Sequence, residues 1–129
     1  MALAYWCILI AALLPYLWVS IAKASGERFD NREPRAWQAR QTNPRSQRAN
    51  SAQLNAFEAF APFAASVLMA QAAGVDPSRI GLLAVAFVAL RVLHGIFYVL
   101  GVAPLRSLAW AGGIAVVVWL MLLAAWHVA

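Results

Sequence analysis

Residues 80–100 read IGLLAVAFVALRVLHGIFYVL, an apolar stretch that contains the polar side chains of Arg91, His94 and Tyr98. The stretch has the length of about 20 residues that a helix needs to cross the hydrocarbon of a bilayer. Steps of three and four residues place the three polar side chains on one helical face, within about 60° of arc. Because an arginine at bilayer depth is costly in lipid, we expect this face to meet a partner or a polar cavity.

A second stretch carries a matching polar face. Its members, spaced so that they share one side of a helix, are Arg48, Asn55, Glu58 and Pro62. Glu58 is the only acidic residue inside the hydrophobic part of the chain, which makes this face the expected complement of Arg91. A plain ion pair between Glu58 and Arg91 that only fixes helix packing is an alternative that the residues leave open.

The composition places the chain in a membrane. Of its 129 residues, 64% are hydrophobic and only 12% are charged, whereas about a quarter of the residues of a soluble domain are charged. We predict an all-α integral membrane protein, with a single domain over residues 1–129 that forms a bundle of four transmembrane helices. The predicted spans are residues 2–22, 50–73, 80–100 and 106–126.

The segment 23–48 between the first two spans holds most of the net charge of +5, with seven basic and three acidic residues. By the positive-inside bias this segment is cytoplasmic, and four spans then place both termini on the opposite side. The short loops favour a bacterial inner (plasma) membrane, and the first span is not expected to be a cleaved signal because no basic residue precedes it. The segment suits contact with lipid head groups, whereas its interspersed acids and few aromatics argue against nucleic acid.

The polar side chains of the two faces suit a small zwitterionic peptide. Arginines supply forked donors for carboxylates, Asn55 is both donor and acceptor, and Glu58 accepts from an ammonium group. Metal binding is not expected, because His94 and His127 lie on different spans without an acidic cluster. The single cysteine, Cys7, lies in the first span and suits a buried, inert thiol.

Three segments resemble the MAPEG family, the membrane-associated proteins in eicosanoid and glutathione metabolism. Residues 48–58, RANSAQLNAFE, followed by Pro62, are similar to the second-helix pattern R-x-x-x-A-Q-x-N-x-x-E of that family. Residues 91–98, RVLHGIFY, resemble its third-helix pattern R-x-x-H-x-x-x-Y. Residues 104–107, PLRS, resemble the Arg-Ser pair that opens the fourth helix in its prostaglandin synthase branch. The resemblance covers essentially the whole chain.

The resemblance implies a homotrimer, embedded in membrane lipids, that binds glutathione as its co-substrate in clefts between neighbouring subunits. The implied glutathione-binding residues are Lys23, Arg48, Asn55, Glu58, Arg91, His94 and Tyr98. The sequence differs from the family pattern at two positions that would contact the carboxylates of glutathione. Ser51 stands where the family often has arginine, and Leu54 stands where the prostaglandin branch has one, which leaves Arg48 and Arg45 as candidate substitutes.

The resemblance also implies a chemistry. Arg106 would lie beside the sulfur of glutathione and stabilise its thiolate, with Ser107 as a hydrogen-bond donor, and the thiolate would attack a hydrophobic electrophile or reduce a peroxide. The expected function is a membrane-bound glutathione-dependent transferase or peroxidase. The alternative is a non-catalytic trimeric scaffold or lipid-binding protein of the same fold. Arg106 favours the enzyme, because a scaffold needs no stabiliser of a thiolate.

Overall fold

The computed structural model describes residues 1–129, and its regular secondary structure is entirely helical. The five helices are α1 (Ala2–Ala24), α2 (Pro34–Arg40), α3 (Pro44–Ala72), α4 (Pro77–Leu100) and α5 (Ala103–His127). The four long helices pack against one another, most extensively α1 against α3 and α4 against α5. The prediction of an all-α chain is confirmed.

Three of the helices, α1, α4 and α5, are long and apolar enough to cross a membrane. Helix α3 has 29 residues, which corresponds to about 44 Å at 1.5 Å per residue and exceeds the roughly 30 Å of bilayer hydrocarbon. Its mean hydropathy is lower because Asn55, Glu58 and Gln71 interrupt its apolar part and its first turns are polar. Length and composition therefore fit a multi-pass membrane protein in which α3 is the most polar long helix.

Proline and short polar residues fix where the helices begin. Because proline is well tolerated in a first helical turn, the sequence predicts that a helix begins at Pro44, and α3 does begin there. The side chain of Asn43 accepts hydrogen bonds from the backbone N–H groups of Arg45 and Ser46 at 2.9 and 3.3 Å. The side chain of Asp76 caps the start of α4 in the same way. These caps satisfy N–H groups that have no partner within the helix.

The Asn43 cap leads to a prediction about stability. We expect Asn43→Ala to lower the free energy of unfolding by about 1 kcal/mol, because alanine leaves the first N–H groups of α3 without an acceptor. Thermal unfolding of the purified protein in detergent measures the change. The control is Asn31→Ala, the same substitution at an exposed position outside the helices. An equal shift in both variants would contradict a capping role for Asn43.

Helix α2 lies inside the segment 23–48, for which the sequence predicts only a loop. Pro34 stands in its first turn, and Trp37 is its one buried residue. The indole N–H of Trp37 donates to the carbonyl of Arg28 at 3.0 Å, and the indole meets Phe29 edge to face with ring centroids 5.1 Å apart. A helix of seven residues is too short to be stable alone, so it depends on this packing.

Gln41 joins α2 to its surroundings. Its side chain donates to the carbonyl of Trp37 at 3.0 Å and accepts from the backbone N–H of Glu27 at 3.3 Å. Gln47 of α3 donates to the carbonyl of Gln41 at 2.9 Å. Because Gln41 is buried and its side-chain polar atoms are paired, these bonds hold α2 in a fixed position between the end of α1 and the start of α3.

Close helix contacts set the direction of the polar faces. Gly95 of α4 lies directly against the indole ring of Trp18 on α1, where a Cβ atom would overlap the ring. Farther along the bundle, Phe63 of α3 and Phe87 of α4 stack in parallel with centroids 3.9 Å apart. Contacts of this kind fix the rotation of each helix about its own axis. They therefore determine which side chains of α3 and α4 can meet.

Candidate functional site

Arg91 lies buried at the contact between α3 and α4, with 4% of its surface exposed. Its Nη2 donates to Oδ1 of Asn55 at 2.6 Å, which joins the two helices. The polar faces expected for α3 and α4 therefore meet in the structure. The hydrogen-bond partner of the Arg91 guanidinium is the amide oxygen of Asn55. The carboxylate of Glu58, on the same face of α3, is therefore not used by this bond.

Glu58 does not pair with Arg91. The only ion pair within the chain joins Arg32 and Asp30 in the segment 23–48, and Glu58 is exposed on α3. The alternative of a packing ion pair between Glu58 and Arg91 is therefore wrong for this structure. The reason is helical register, since Asn55 faces Arg91 while Glu58, three residues later, is turned by about 60° around the helix axis.

Asn55, Glu58 and Arg91 line the polar part of a groove of about 210 Å³ between α3, α4 and α5. The other walls are mostly apolar and include Ala59, Pro62, Phe87, Trp110, Ile114 and Val117. Small-molecule sites usually measure about 300–1,000 Å³. The groove of one chain is therefore too small to enclose a tripeptide by itself, although it offers both polar and apolar surface.

His94, Tyr98 and Arg106 form a second cluster where α4 passes into α5. His94 is 2% exposed, and its ring meets that of Tyr98 edge to face with centroids 5.5 Å apart. The guanidinium carbon of Arg106 lies 4.7 Å from the centroid of the Tyr98 ring, within the range of a cation–π contact. Gly101, with a φ of +76°, ends α4 and lets the chain turn at once into α5. Tyr98 thus contacts both His94 and Arg106.

Arg106 does not itself line the groove, and its charge has no carboxylate partner in the chain. Trp110, one turn later on the same face of α5, lines the groove. Ser107 follows Arg106 directly and is exposed. The arrangement supplies a fixed positive charge and a neighbouring hydroxyl group, which together suit an anion.

Arg48 takes up a position at the end of α4. Its Nε donates to the carbonyl of Val99 at 3.0 Å, and a Cβ atom at Gly101 would lie 3.5 Å from its guanidinium group. The bond satisfies one of the last carbonyls of α4, which have no partner within the helix. The structure thereby gives Arg48 a contact at the α4–α5 junction, and Arg48 does not line the groove of Asn55 and Glu58.

Lys23 lies in a second depression, a cleft of about 800 Å³ between α1, α2 and α3. Its Nζ lies 4.4 Å from the centroid of the Phe29 ring. Arg35 of α2 lines the same cleft. Sequence reasoning missed Arg35, because the only signal was its membership of a basic segment, and nothing in the spacing of that segment singles it out.

A strip of α3 runs between the cleft and the groove. Its members are Gln47, Ser51, Leu54 and Glu58, which lie within about 60° of arc on one helical face. The first three line the cleft and the fourth lines the groove. Gln47, Leu54 and Glu58 are exposed and Ser51 is half-buried. The two depressions are therefore neighbours along one outward-facing surface.

Comparison with known proteins identifies one family. The family model described as the MAPEG family matches residues 3–126. The match extends from the first turn of α1 to the last turn of α5 and includes all the residues of the groove, the cleft and the Arg106 cluster. No curated protein and no solved structure matches the chain.

Proposed function

Because this chain belongs to the MAPEG family, we propose that it is a membrane-bound glutathione-dependent transferase or peroxidase. The observation that carries the proposal is the placement of Arg106, which contacts the Tyr98 ring, has no carboxylate partner in the chain and lies one helical turn before Trp110 of the groove. A positive charge in this position suits a thiolate. The family makes glutathione the thiol to test first.

The proposal includes a homotrimer in which all four long helices cross the membrane. The exposed strip of α3 carries Glu58 within the predicted span, and an ionisable group that faces lipid is costly. A neighbouring copy would cover the strip and enlarge the space beside it. The groove of about 210 Å³ and the cleft of about 800 Å³ would then form the walls of a site between subunits. The basic segment 23–48 would lie on the cytoplasmic side.

The polar residues of the groove suit a zwitterionic peptide. Glu58, whose carboxylate forms no ion pair within the chain, would accept hydrogen bonds from the ammonium group of glutathione. The amide nitrogen of Asn55 would donate to a peptide carbonyl, while its oxygen stays bound to Arg91. Arg91 is in this view a positioning residue, because its bond to Asn55 fixes the direction of that amide. Tyr98 and His94 would form the wall toward Arg106.

The proposed chemistry is the activation of a thiol. A free cysteine thiol has a pKa of about 8.5, and a nearby positive charge lowers it. The guanidinium of Arg106 would stabilise the thiolate of glutathione, with the hydroxyl of Ser107 donating a hydrogen bond to the sulfur.

A hydrophobic substrate would enter from the lipid along the apolar walls of the groove, and the thiolate would form a bond to its electrophilic carbon. The bond to the leaving group would break with its electron pair, or, at an activated double bond, the π bond would break and the neighbouring carbon would take up a proton. A lipid hydroperoxide is the other class of substrate: the thiolate would attack its terminal oxygen, the O–O bond would break to release the alcohol after protonation, and a second glutathione would convert the resulting sulfenic acid to glutathione disulfide and water.

Glutathione binding by the purified protein tests the proposal. Removal of the Glu58 charge in Glu58→Gln should weaken glutathione about ten- to a hundredfold, the equivalent of a charge-assisted hydrogen bond of about 1.5–3 kcal/mol. Isothermal calorimetry in detergent gives the dissociation constant. The matched control is Glu27→Gln, which removes the same charge at an exposed position outside the groove. Unchanged affinity in a folded Glu58→Gln protein would refute the role of Glu58 in binding.

A non-catalytic, lipid-binding scaffold is the second candidate function. The observation that favours it is the apolar lining of the groove, which suits an acyl chain as well as it suits a hydrophobic electrophile. The two functions differ at Arg106. If the protein is a scaffold, removal of the Arg106 charge should leave lipid binding unchanged. If it is an enzyme, the same change should reduce the fraction of bound glutathione that is thiolate.

A further inference from the structure

The end of α4 is closed by backbone and side-chain hydrogen bonds together. Gly101 and the residue after it donate their N–H groups to the carbonyls of Tyr98 and Phe97, at 3.1 and 2.9 Å. Such a pair of bonds around a left-handed glycine closes many helices. The carbonyl of Val99 accepts from a side chain of α3, because Nε of Arg48 donates to it at 3.0 Å. Part of the end of α4 is therefore stabilised by another helix.

The backbone around Arg48 is anchored on both sides. The buried hydroxyl of Ser46, two residues earlier, donates to the carbonyl of Ala22 at 2.8 Å and ties the first turn of α3 to the end of α1. Ala49, the next residue, is fully buried in the same apolar cluster as Val99. The side chain of Arg48 is itself half-buried. A group that is already ordered in this way loses little entropy in making its contact.

The guanidinium of Arg48 lies against the turn between α4 and α5. A Cβ atom at Gly101 would lie 3.5 Å from its Nε, Nη1 and Cζ atoms. The positive charge is favourable at this place, because the C-terminal end of a helix carries partial negative charge. Arg48 forms no ion pair within the chain and lines neither the groove nor the cleft. Its hydrogen bond and its packing are thus directed at the α4–α5 junction.

The position of Arg106 depends on this turn. Helix α5 begins at Ala103, two residues after Gly101. Arg106 completes the first turn of α5, and its backbone N–H donates to the carbonyl of Val102 at 3.0 Å. No side-chain hydrogen bond caps the start of α5, so the path of the turn sets where this first turn lies. Misplacement of a catalytic group by about 1 Å can lower a rate about a hundredfold.

We propose that Arg48 positions Arg106 for stabilisation of the thiolate, through its contacts with the end of α4 and the turn that follows. The proposal rests on the proposed function. It gives Arg48 a role different from the direct binding of glutathione that the family resemblance implies. The group that matters is Nε, whose N–H is used by the carbonyl of Val99. The hydrogen bond, and not the charge, is therefore expected to carry the effect.

Two substitutions separate the hydrogen bond from the charge. Glutamine has an amide nitrogen at the same place along the side chain as Nε of arginine, so Arg48→Gln keeps a donor and removes the charge. Arg48→Met reaches the same place with a methyl group and has no donor. Arg79→Met, the same substitution at an exposed position near the opposite end of α4, is the control for loss of a surface charge.

Hydrogen exchange measures the junction itself. The experiment uses the full-length protein in detergent without any ligand, and mass spectrometry follows the amides of residues 99–106. Arg48→Met should exchange about three- to tenfold faster there than the wild type, as expected for the loss of one hydrogen bond. Arg48→Gln and Arg79→Met should resemble the wild type. Equal protection of the junction in Arg48→Met and the wild type would overturn the proposal and leave the proposed function intact.

The thiol of bound glutathione supplies the second measurement. Arg48→Met should raise the pKa of that thiol and lower the turnover number about three- to tenfold, while the dissociation constant of glutathione changes by less than about twofold. Arg48→Gln should recover most of both signals. A large loss of turnover in Arg48→Gln would by itself overturn the proposal, including the case in which Arg48→Met does not fold.

Three other outcomes would also contradict the positioning role. Weaker glutathione binding in both variants would show that the charge of Arg48 contacts the ligand. A lower melting temperature of Arg48→Met, with the thiol pKa and turnover unchanged, would leave Arg48 a purely structural role. Absence of glutathione binding by the wild-type protein would overturn the proposed function and the role of Arg48 with it, whatever the hydrogen exchange of the junction.

Discussion

Arg106→Leu is expected to reduce the turnover number for glutathione conjugation by about a hundredfold or more, while the dissociation constant of glutathione changes little. Removal of one preorganised group that stabilises a developing or bound anion has effects of this size in other enzymes, about 10²–10³ in kcat. Interactions with the anion act mainly on the reaction, whereas the peptide backbone and ammonium group would be held elsewhere. The pKa of the bound glutathione thiol should rise in this variant.

The ultraviolet absorbance of the thiolate, titrated against pH in the presence of the protein, measures that pKa directly. Stopped-flow conjugation of a small aromatic electrophile measures turnover. Arg106→Lys is the matched control, because it keeps the positive charge and the cation–π contact with Tyr98 and should recover part of both signals. If Arg106→Leu retains the thiolate absorbance and full activity, the assignment of the chemistry to Arg106 is wrong, and Arg91 becomes the next residue to test.

Gly95→Ala is expected to cause the largest loss of stability, about 3 kcal/mol or more. The added methyl group would overlap the indole ring of Trp18, which is itself buried and cannot move without displacing α1 from α4. Since α4 carries Arg91, His94 and Tyr98, separation of these helices would also disturb the site. Thermal unfolding and size-exclusion chromatography in detergent should show a lower melting temperature and less folded protein.

Two comparisons separate this steric effect from a general effect of alanine. Gly113→Ala places a methyl group 3.7 Å from Arg91 and Phe87, an ordinary contact distance, and should be neutral or slightly stabilising because alanine favours the helix by about 1 kcal/mol. Combination of Gly95→Ala with Trp18→Leu should cost less than the sum of the two single substitutions, because the smaller side chain makes room. Equal stability of Gly95→Ala and Gly113→Ala would contradict the close contact.

The sequence determined the helical class and much of the composition of the site. The run from Ile80 to Leu100 has the length and hydropathy of a membrane helix, and α4 covers it. Pro44 marked the start of α3 because proline suits a first helical turn. The period of 3.6 residues placed Asn55 and Arg91 on faces that had to be covered, and these two side chains do meet. Periodicity is local, so the sequence alone was sufficient at this level.

The tertiary structure decided which groups within those faces become partners. Arg91 bonds to Asn55 while Glu58 stays exposed, because the rotation of α3 is set by its contacts with neighbouring helices and not by its own pattern. Arg48 shares the predicted face but reaches the carbonyl of Val99, since the antiparallel packing brings the end of α4 to its level.

Helix α2 and the cleft of Lys23 and Arg35 also depend on the tertiary structure alone. Seven residues are too few to show a period, and the helix is held by the burial of Trp37 against residues outside it. The position of Arg35 therefore follows from contacts between parts of the chain that are distant in space until the bundle forms. A sequence pattern specifies a face, but only the packing of several elements specifies what that face meets.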